Sequence, residues 1–160
     1  MIMKSSLPMN KAQSLVLIQL ILFGVIGASA ILIPSNKSTE QWIVGGGTVI
    51  VGLGIAFWAI FEHGRINRSG PSALPTPNQQ ADLITSGLYK HIRHPIYTGV
   101  LLVAFGITIL HGHIIILIAS ILLVGLLTYK SLYEEDLLHA QYPQYGEYMQ
   151  STGRFLPKIF

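Results

Sequence analysis

Residues 96–129 read IYTGVLLVAFGITILHGHIIILIASILLVGLLTY, with no Asp, Glu, Lys or Arg among them. Fifteen mostly apolar residues (96–110) lead to His111-Gly112-His113, and sixteen more (114–129) follow. At a rise of about 1.5 Å per residue the first arm reaches only about 22 Å, against a hydrocarbon core of about 30 Å. The stretch therefore reads as a tight helical hairpin that barely crosses a bilayer, turning at Gly112. Upstream, residues 14–33 form a run whose only strongly polar member is Gln19, and residues 42–61 form a second run without charge. Each is long enough to cross as a helix. The expected fold is an all-α integral membrane domain spanning residues 1–160. It has four membrane segments (14–33, 42–61, 96–110 and 114–129), the last two a short hairpin, and a cytoplasmic C-terminal helix.

Composition agrees. Of 160 residues, 51% are hydrophobic and only 11% charged, less than half the roughly 25% charge of a soluble domain. This excludes a disordered chain, a nucleic-acid-binding arm and most soluble folds. The absence of cysteine excludes a disulfide framework, a Cys-bound zinc site and a thiol nucleophile. Lys4, Lys11 and Ala28-Ser29-Ala30 fit a cleavable leader, but the apolar run continues through Ile33, which favours a retained anchor. If all four segments cross, nine of the ten basic residues lie on one side and Lys37 alone on the other. By the positive-inside rule both termini and the central loop are then cytoplasmic. Gly45-Gly46-Gly47 and Gly52-x-Gly54 lie inside an uncharged span and lack the strand–helix context of a phosphate loop. Small residues such as Gly52 and Ala56 read instead as close helix packing.

Two polar clusters interrupt this apolar chain. The first follows a Pro-rich loop over 67–80, with Pro71, Pro75 and Pro77, and runs from Ala81 to Tyr97. It gathers Tyr89, Lys90, His91, Arg93, His94 and Tyr97 where the chain enters the bilayer; a membrane-surface anchor would use the same residue types. The second follows the last span. Lys130, Glu134 and Leu138 share one helix face; Glu135, His139 and Tyr142 share the next. Glu134-Glu135-Asp136 lie where an anionic leaflet favours basic residues, which calls for an internal cationic partner. Tyr142, Tyr145 and Tyr148 add an aromatic stripe. With Pro95 breaking any helix through His91 and His94, and His111 and His113 expected on the opposite face, no metal site is expected.

In this order around a short hairpin, the clusters resemble the membrane-embedded methyltransferases of the isoprenylcysteine carboxyl methyltransferase and phospholipid methyltransferase superfamily. The residues carrying the resemblance are Thr85-Ser86-Gly87-Leu88-Tyr89, Arg93-His94-Pro95-Ile96-Tyr97, Gly99, Glu134-Glu135, Leu138, Tyr142, Tyr145, Tyr148, Thr152, Arg154-Phe155 and Pro157, within residues 81–157. The resemblance implies S-adenosylmethionine as methyl donor and a lipophilic acceptor arriving from the bilayer. It implies donor-binding regions at 81–97 and 130–157, with contacts from Ala81, Asp82, Leu83, Ile84, Tyr89, His94, Pro95, Ile96, Tyr97 and Glu134. Lys130 stands where isoprenylcysteine enzymes carry a substrate-binding Arg, keeping the charge but losing the bidentate fork. Tyr142-Pro143-Gln144-Tyr145 is one residue tighter than the spacing of some members.

The residues suit that chemistry on their own terms. A carboxylate such as Glu134 can pair with the donor's ammonium or hydroxyls, and Tyr89 and Tyr97 can lie over a sulfonium or stack on a base. A carboxylate or thiolate acceptor would need a cation, from Lys130, Arg93 or Arg154. An amine acceptor would need a base, for which Glu135 or His139 is the candidate. The expected activity is methyl transfer to a lipophilic acceptor, as in isoprenylcysteine carboxyl O-methylation, with phospholipid N-methylation and small-thiol S-methylation as alternatives. A non-catalytic membrane scaffold and a transporter are the competing classes; the latter would place ionisable residues at mid-membrane, where these segments have none.

Overall fold

A computed structural model of the chain describes residues 9–34, 37–68, 70–75 and 81–158; Lys4 and Pro77 lie outside them. Among the described residues five α-helices follow in order: α1 (Met9–Leu32), α2 (Thr39–Asn67), α3 (Pro95–His111), α4 (Ile114–Gln141) and α5 (Tyr145–Ser151). A 3-10 turn, Gly87–Lys90, precedes α3. Among the described residues there is no strand, only an isolated parallel bridge between Ile92 and Gly153.

Three helices, α1, α2 and α4, are long and apolar enough to cross a membrane. The shorter α3, with 17 residues, rises about 25 Å. The helices outrun the segments read from hydropathy. Helix α2 continues to Asn67, six residues beyond its apolar run. The last span and the helix expected after it are one element, α4, with α5 as a separate short helix. Lys130, Glu134 and Glu135 therefore ride on a continuous extension of a membrane-length helix, which holds their side chains in fixed rotational register.

Local chemistry explains the boundaries. Ser38 and Gln41 form a reciprocal capping box at the start of α2. Pro95 opens α3 at a first-turn position that needs no N–H donor, and His94 before it leaves the helical region, at φ −123° and ψ 62°. Gly112 ends α3 in the left-handed region at φ 61°, its N–H reaching the Thr108 carbonyl at 2.7 Å. His113 caps α4, its Nδ1 accepting from the Ile115 N–H at 3.3 Å. The hairpin turn is thus a pair of caps.

Helix α2 packs most extensively on α3, and α1 on α4. The first pair meets backbone to backbone: a Cβ on Gly52 would lie 2.7 Å from the Gly99 carbonyl oxygen, and one on Gly99 2.6 Å from the Gly52 carbonyl oxygen. Gly45 and Gly106 repeat the arrangement further along. Between α3 and α4, Ser120 and Thr108 hydroxyls meet at 3.0 Å beside the Ala104 carbonyl. The apolar core joins Leu22 and Ile26 of α1 to Leu101 and Ala104 of α3 and Ile116, Ala119, Leu123 and Leu127 of α4. Outward faces stay apolar, with Ile21, Ile43, Ile50, Phe57, Trp58 and Leu122 all exposed, the inverse of a soluble surface and suited to lipid.

Gly52→Leu and Gly99→Leu are each expected to lower stability by about 1–3 kcal/mol or more, since the added atoms strike backbone that cannot swing aside. Gly54→Leu, where a Cβ meets nothing within 4 Å, is expected to be neutral. Thermal unfolding of the detergent-solubilised protein checks this; equal losses at all three positions would contradict the packing described.

Candidate functional site

The N-terminal half of α1, the C-terminal ends of α2 and α4, and the start of α3 meet at one end of the bundle. A cavity of about 460 Å³ opens there. Its wall takes Gln19 from α1, His63 and Asn67 from α2, the 70–74 loop, and the extended segment 81–84. Tyr89, the 93–97 segment and Val100 complete one side; Lys130, Glu134, Leu138, Tyr142, Tyr145 and Tyr148 form the other. The volume falls within the roughly 300–1,000 Å³ of small-molecule sites.

Each wall is tied by hydrogen bonds from elsewhere in the chain. Asn67 clasps Asp82 with two bonds, the Asp82 N–H donating to Oδ1 at 2.8 Å and Nδ2 donating to the Asp82 carbonyl at 3.4 Å. The Tyr142 hydroxyl donates to the Ala81 carbonyl, and the Tyr148 hydroxyl to the Tyr89 carbonyl at 2.6 Å. Glu62 is buried at the end of α2 and accepts from the Ser86 hydroxyl at 3.1 Å and the Leu88 N–H at 3.2 Å. Gly87 adopts φ 54° directly beside that carboxylate, where any Cβ would collide with it.

Two adjacent carboxylates have different surroundings. Glu135 is 3% exposed and does not line the cavity. Its Oε1 accepts from Arg93 Nε at 2.9 Å and Arg154 Nε at 3.1 Å, and its Oε2 from Arg154 Nη2 at 2.7 Å. His94 Nε2 lies 3.3 Å from the same carboxylate. Arg93 also donates through Nη1 to the Met149 and Thr152 carbonyls. The tail then runs alongside residues 91–94: the Gly153 N–H donates to His91 O at 3.1 Å, the Arg93 N–H to Gly153 O at 2.8 Å, and the His94 N–H to Arg154 O at 3.0 Å. Thr98 in the first turn of α3 donates its hydroxyl to the Phe155 carbonyl at 2.7 Å.

Glu134, one residue earlier, faces the cavity and is partly exposed. Its Oε2 accepts from the Tyr97 hydroxyl at 3.2 Å and lies 3.7 Å from His94 Nδ1, which leaves Oε1 without a protein partner among the described residues. The His94 and Tyr97 rings stack at 5.4 Å, nearly parallel. Burial, reinforced by Glu134 and Glu62, pushes the Tyr89 hydroxyl well above its ordinary range, so the ring meets the cavity as a neutral phenol.

Lys130 is 1% exposed yet lines the cavity. Its ammonium donates to Gln19 Oε1 at 2.6 Å and the Ala73 carbonyl at 3.0 Å, and lies 5.7 Å from the centre of the Tyr97 ring. One cation thus joins α1, the Pro-rich loop and α4. Beyond Val100, which borders both spaces, a nearly all-apolar groove of about 310 Å³ lies between α1, α2 and α3, lined by residues such as Phe23, Ile26, Leu53 and Ala56.

All ten residues expected to contact a donor (Ala81, Asp82, Leu83, Ile84, Tyr89, His94, Pro95, Ile96, Tyr97 and Glu134) line the same cavity, together with Lys130. Glu135 and His139 do not. The expected internal cationic partner for the acid run is there, but Glu135 takes it. Reading the sequence alone misses His63 and Glu62, which belong to a helix continuing past its apolar stretch. It also leaves Gln19 without a role, although a lone polar residue in an apolar span was the available signal.

Three helices of membrane-crossing length and apolarity, with an aromatic, carboxylate-bearing cavity at one end of the bundle, mark a membrane protein whose cavity has the size of a small-molecule site. The phospholipid methyltransferase family model matches residues 41–145, well over half of the chain, and the protein belongs to that family, within the membrane methyltransferase superfamily. The match begins at the start of α2 and ends at the start of α5. Comparison with curated proteins finds no match. Family membership makes the protein a membrane methyltransferase with a lipid or membrane-associated substrate.

Glu135→Ala is expected to destabilise the ligand-free protein by about 3–5 kcal/mol, because Arg93 is left as an unpaired buried charge. Arg154→Ala is expected to cost less, since that side chain is 28% exposed and its loss leaves Glu135 still paired with Arg93. Unfolding midpoints in detergent give the order; a larger loss for Arg154→Ala would overturn it.

Proposed function

We propose that the protein transfers a methyl group from S-adenosylmethionine to a lipophilic acceptor with an anionic head, a carboxylate or thiolate, at the cytoplasmic ends of four membrane segments. The observation that carries this is one cavity uniting a partly free carboxylate, two tyrosine rings and a buried ammonium, with an apolar groove leading away from it. The donor, when bound, supplies an electrophilic methyl on sulfur, lost to an acceptor lone pair as the C–S electrons return to sulfur.

The chain's own residues divide the work. Glu134 pairs through its free oxygen with a cationic or hydroxylic part of the donor, and Tyr89 and Tyr97 give it π surface. The 81–84 segment, held by Asn67 and Tyr142, offers backbone groups at the cavity wall. Lys130 attracts an anionic acceptor head and fixes its distance, exchanging Gln19 or Ala73 for the incoming oxygen or sulfur. The groove beyond Val100 takes the acceptor's hydrocarbon. A carboxylate or thiolate brings its own lone pair, so no base is required; Glu135, committed to two guanidiniums, is a positioning residue. In-line transfer then depends on alignment and exclusion of water.

A second reading, methylation of a phospholipid amine, draws support from the family's description and from His63 on the cavity wall, an imidazole of the kind that takes an ammonium proton. Incubating membranes with isotopically labelled donor separates the two. Label in a base-labile ester or thioether supports the first, and label in an amine headgroup supports the second.

Glu134→Gln is expected to weaken S-adenosylhomocysteine binding by about 2–5 kcal/mol, read by calorimetry on the solubilised protein. Unchanged affinity would remove Glu134 from the donor site. Lys130→Ala is expected to cut turnover while donor affinity stays within about twofold, the pattern of a contact with the second substrate. Lys130→Arg is expected to keep activity. Loss of donor binding in Lys130→Ala would refute the acceptor role.

A further inference from the structure

Among the described residues, one buried side-chain polar atom has no hydrogen-bond partner: the hydroxyl of Tyr145. The residue is 1% exposed, at the first position of α5, and it lines the cavity. Its ring packs edge-on against His139 at 6.5 Å and Tyr148 at 5.7 Å. The other two tyrosines of the same stripe have committed hydroxyls, Tyr142 to the Ala81 carbonyl and Tyr148 to the Tyr89 carbonyl. Packing alone does not account for the third hydroxyl, since a phenylalanine ring would fill the same space without stranding a polar group.

Its surroundings say what would satisfy it. The hydroxyl lies in the electrostatic field of Glu135, Arg93, Tyr148 and Glu134, and burial keeps it neutral. It is therefore an O–H donor on the wall of a cavity that Arg93 and the half-free carboxylate of Glu134 also line, while Glu135, its strongest charged neighbour, is already taken by Arg93 and Arg154. A cavity wall that carries an unpartnered O–H donor and a guanidinium as well as a carboxylate is complementary to a zwitterion: the ligand's carboxylate accepts from the hydroxyl and its ammonium donates to the carboxylate. The adenosine portion of a methyl donor carries neither group; its amino-acid portion carries both.

We propose that this end of the cavity is a subsite for an α-amino acid head group, with the Tyr145 hydroxyl donating to the head's carboxylate while Glu134 receives its ammonium. The proposal rests on the cavity being the donor site and goes beyond it by orienting the donor: amino-acid end toward α5 and the tail, nucleoside toward the 81–84 segment.

The test uses the full-length protein in detergent and two ligands, S-adenosylhomocysteine and 5′-methylthioadenosine, which shares the nucleoside and sulfur but lacks the amino-acid head. Tyr145→Phe is expected to weaken S-adenosylhomocysteine binding by about tenfold. Affinity for 5′-methylthioadenosine should stay within about twofold, and the ligand-free unfolding temperature should not fall. Equal losses for both ligands, or none for S-adenosylhomocysteine, would overturn the subsite. So would a lower unfolding temperature without ligand, which would mean that the hydroxyl is bonded within the protein. If the unmutated protein binds 5′-methylthioadenosine as tightly as S-adenosylhomocysteine, the donor site stands and the head-group subsite falls. If it binds neither, both fall together.

Discussion

The Glu135 carboxylate is shared by Arg93, just before α3, and Arg154, in the tail after α5, with His94 alongside. A buried charge is tolerated only when paired, and the penalty for stranding one is several kcal/mol. That constraint draws three distant parts of the chain to a single point. Once Arg93 is anchored, the tail lies alongside 91–94, the Phe155 carbonyl receives the Thr98 hydroxyl, and α5 swings Tyr145 and Tyr148 onto the cavity. The start of α3, the tail and the α5 side of the site are positioned directly or at one remove by this ion cluster, whereas the 70–74 loop is held by Lys130 and the 81–84 segment by Asn67 and Tyr142. The tail that completes it lies beyond the stretch the family model matches.

A second constraint acts within the bilayer-length part. Glycines facing glycines let α2 and α3 approach until their backbones touch, which maximises dispersion contacts where lipid offers no hydrophobic drive. Helix α1 packs instead on α4, and the groove between α1, α2 and α3 is the space left open. An apolar groove on the flank of a cavity costs nothing to maintain in lipid, whereas in water it would collapse or aggregate. The same geometry that stabilises the helix pair therefore leaves a hydrocarbon-compatible groove that shares Val100 with the polar cavity.

The contrast between Glu134 and Glu135 shows how far local pattern carries. Helical periodicity groups Lys130, Glu134 and Leu138 on one face, and all three line the cavity. The turn of about 100° per residue sends Glu135 to a neighbouring face, where it meets the two arginines. Acid at a membrane boundary argues for a cationic partner, but periodicity cannot say which acid takes it, because both guanidiniums arrive from outside the helix. Glu62 and His63 are hidden for another reason. Hydropathy marks where a helix leaves hydrocarbon, not where its hydrogen bonds end, and α2 carries both residues past that point.

What this sequence determined by itself is what short-range chemistry dictates: long apolar helices, a hairpin turning at His111-Gly112-His113, proline at the entrance to α3, and two polar clusters flanking the apolar segments. Hydrophobic length, helical phase and capping depend only on neighbours within a few positions. The tertiary structure alone decided that Gln19 meets Lys130 across 111 positions, that Arg93 meets Glu135 across 42, and that the Tyr145 hydroxyl is left unsatisfied. Those facts depend on which helix faces lie together, and that is set by the summed packing of the whole bundle.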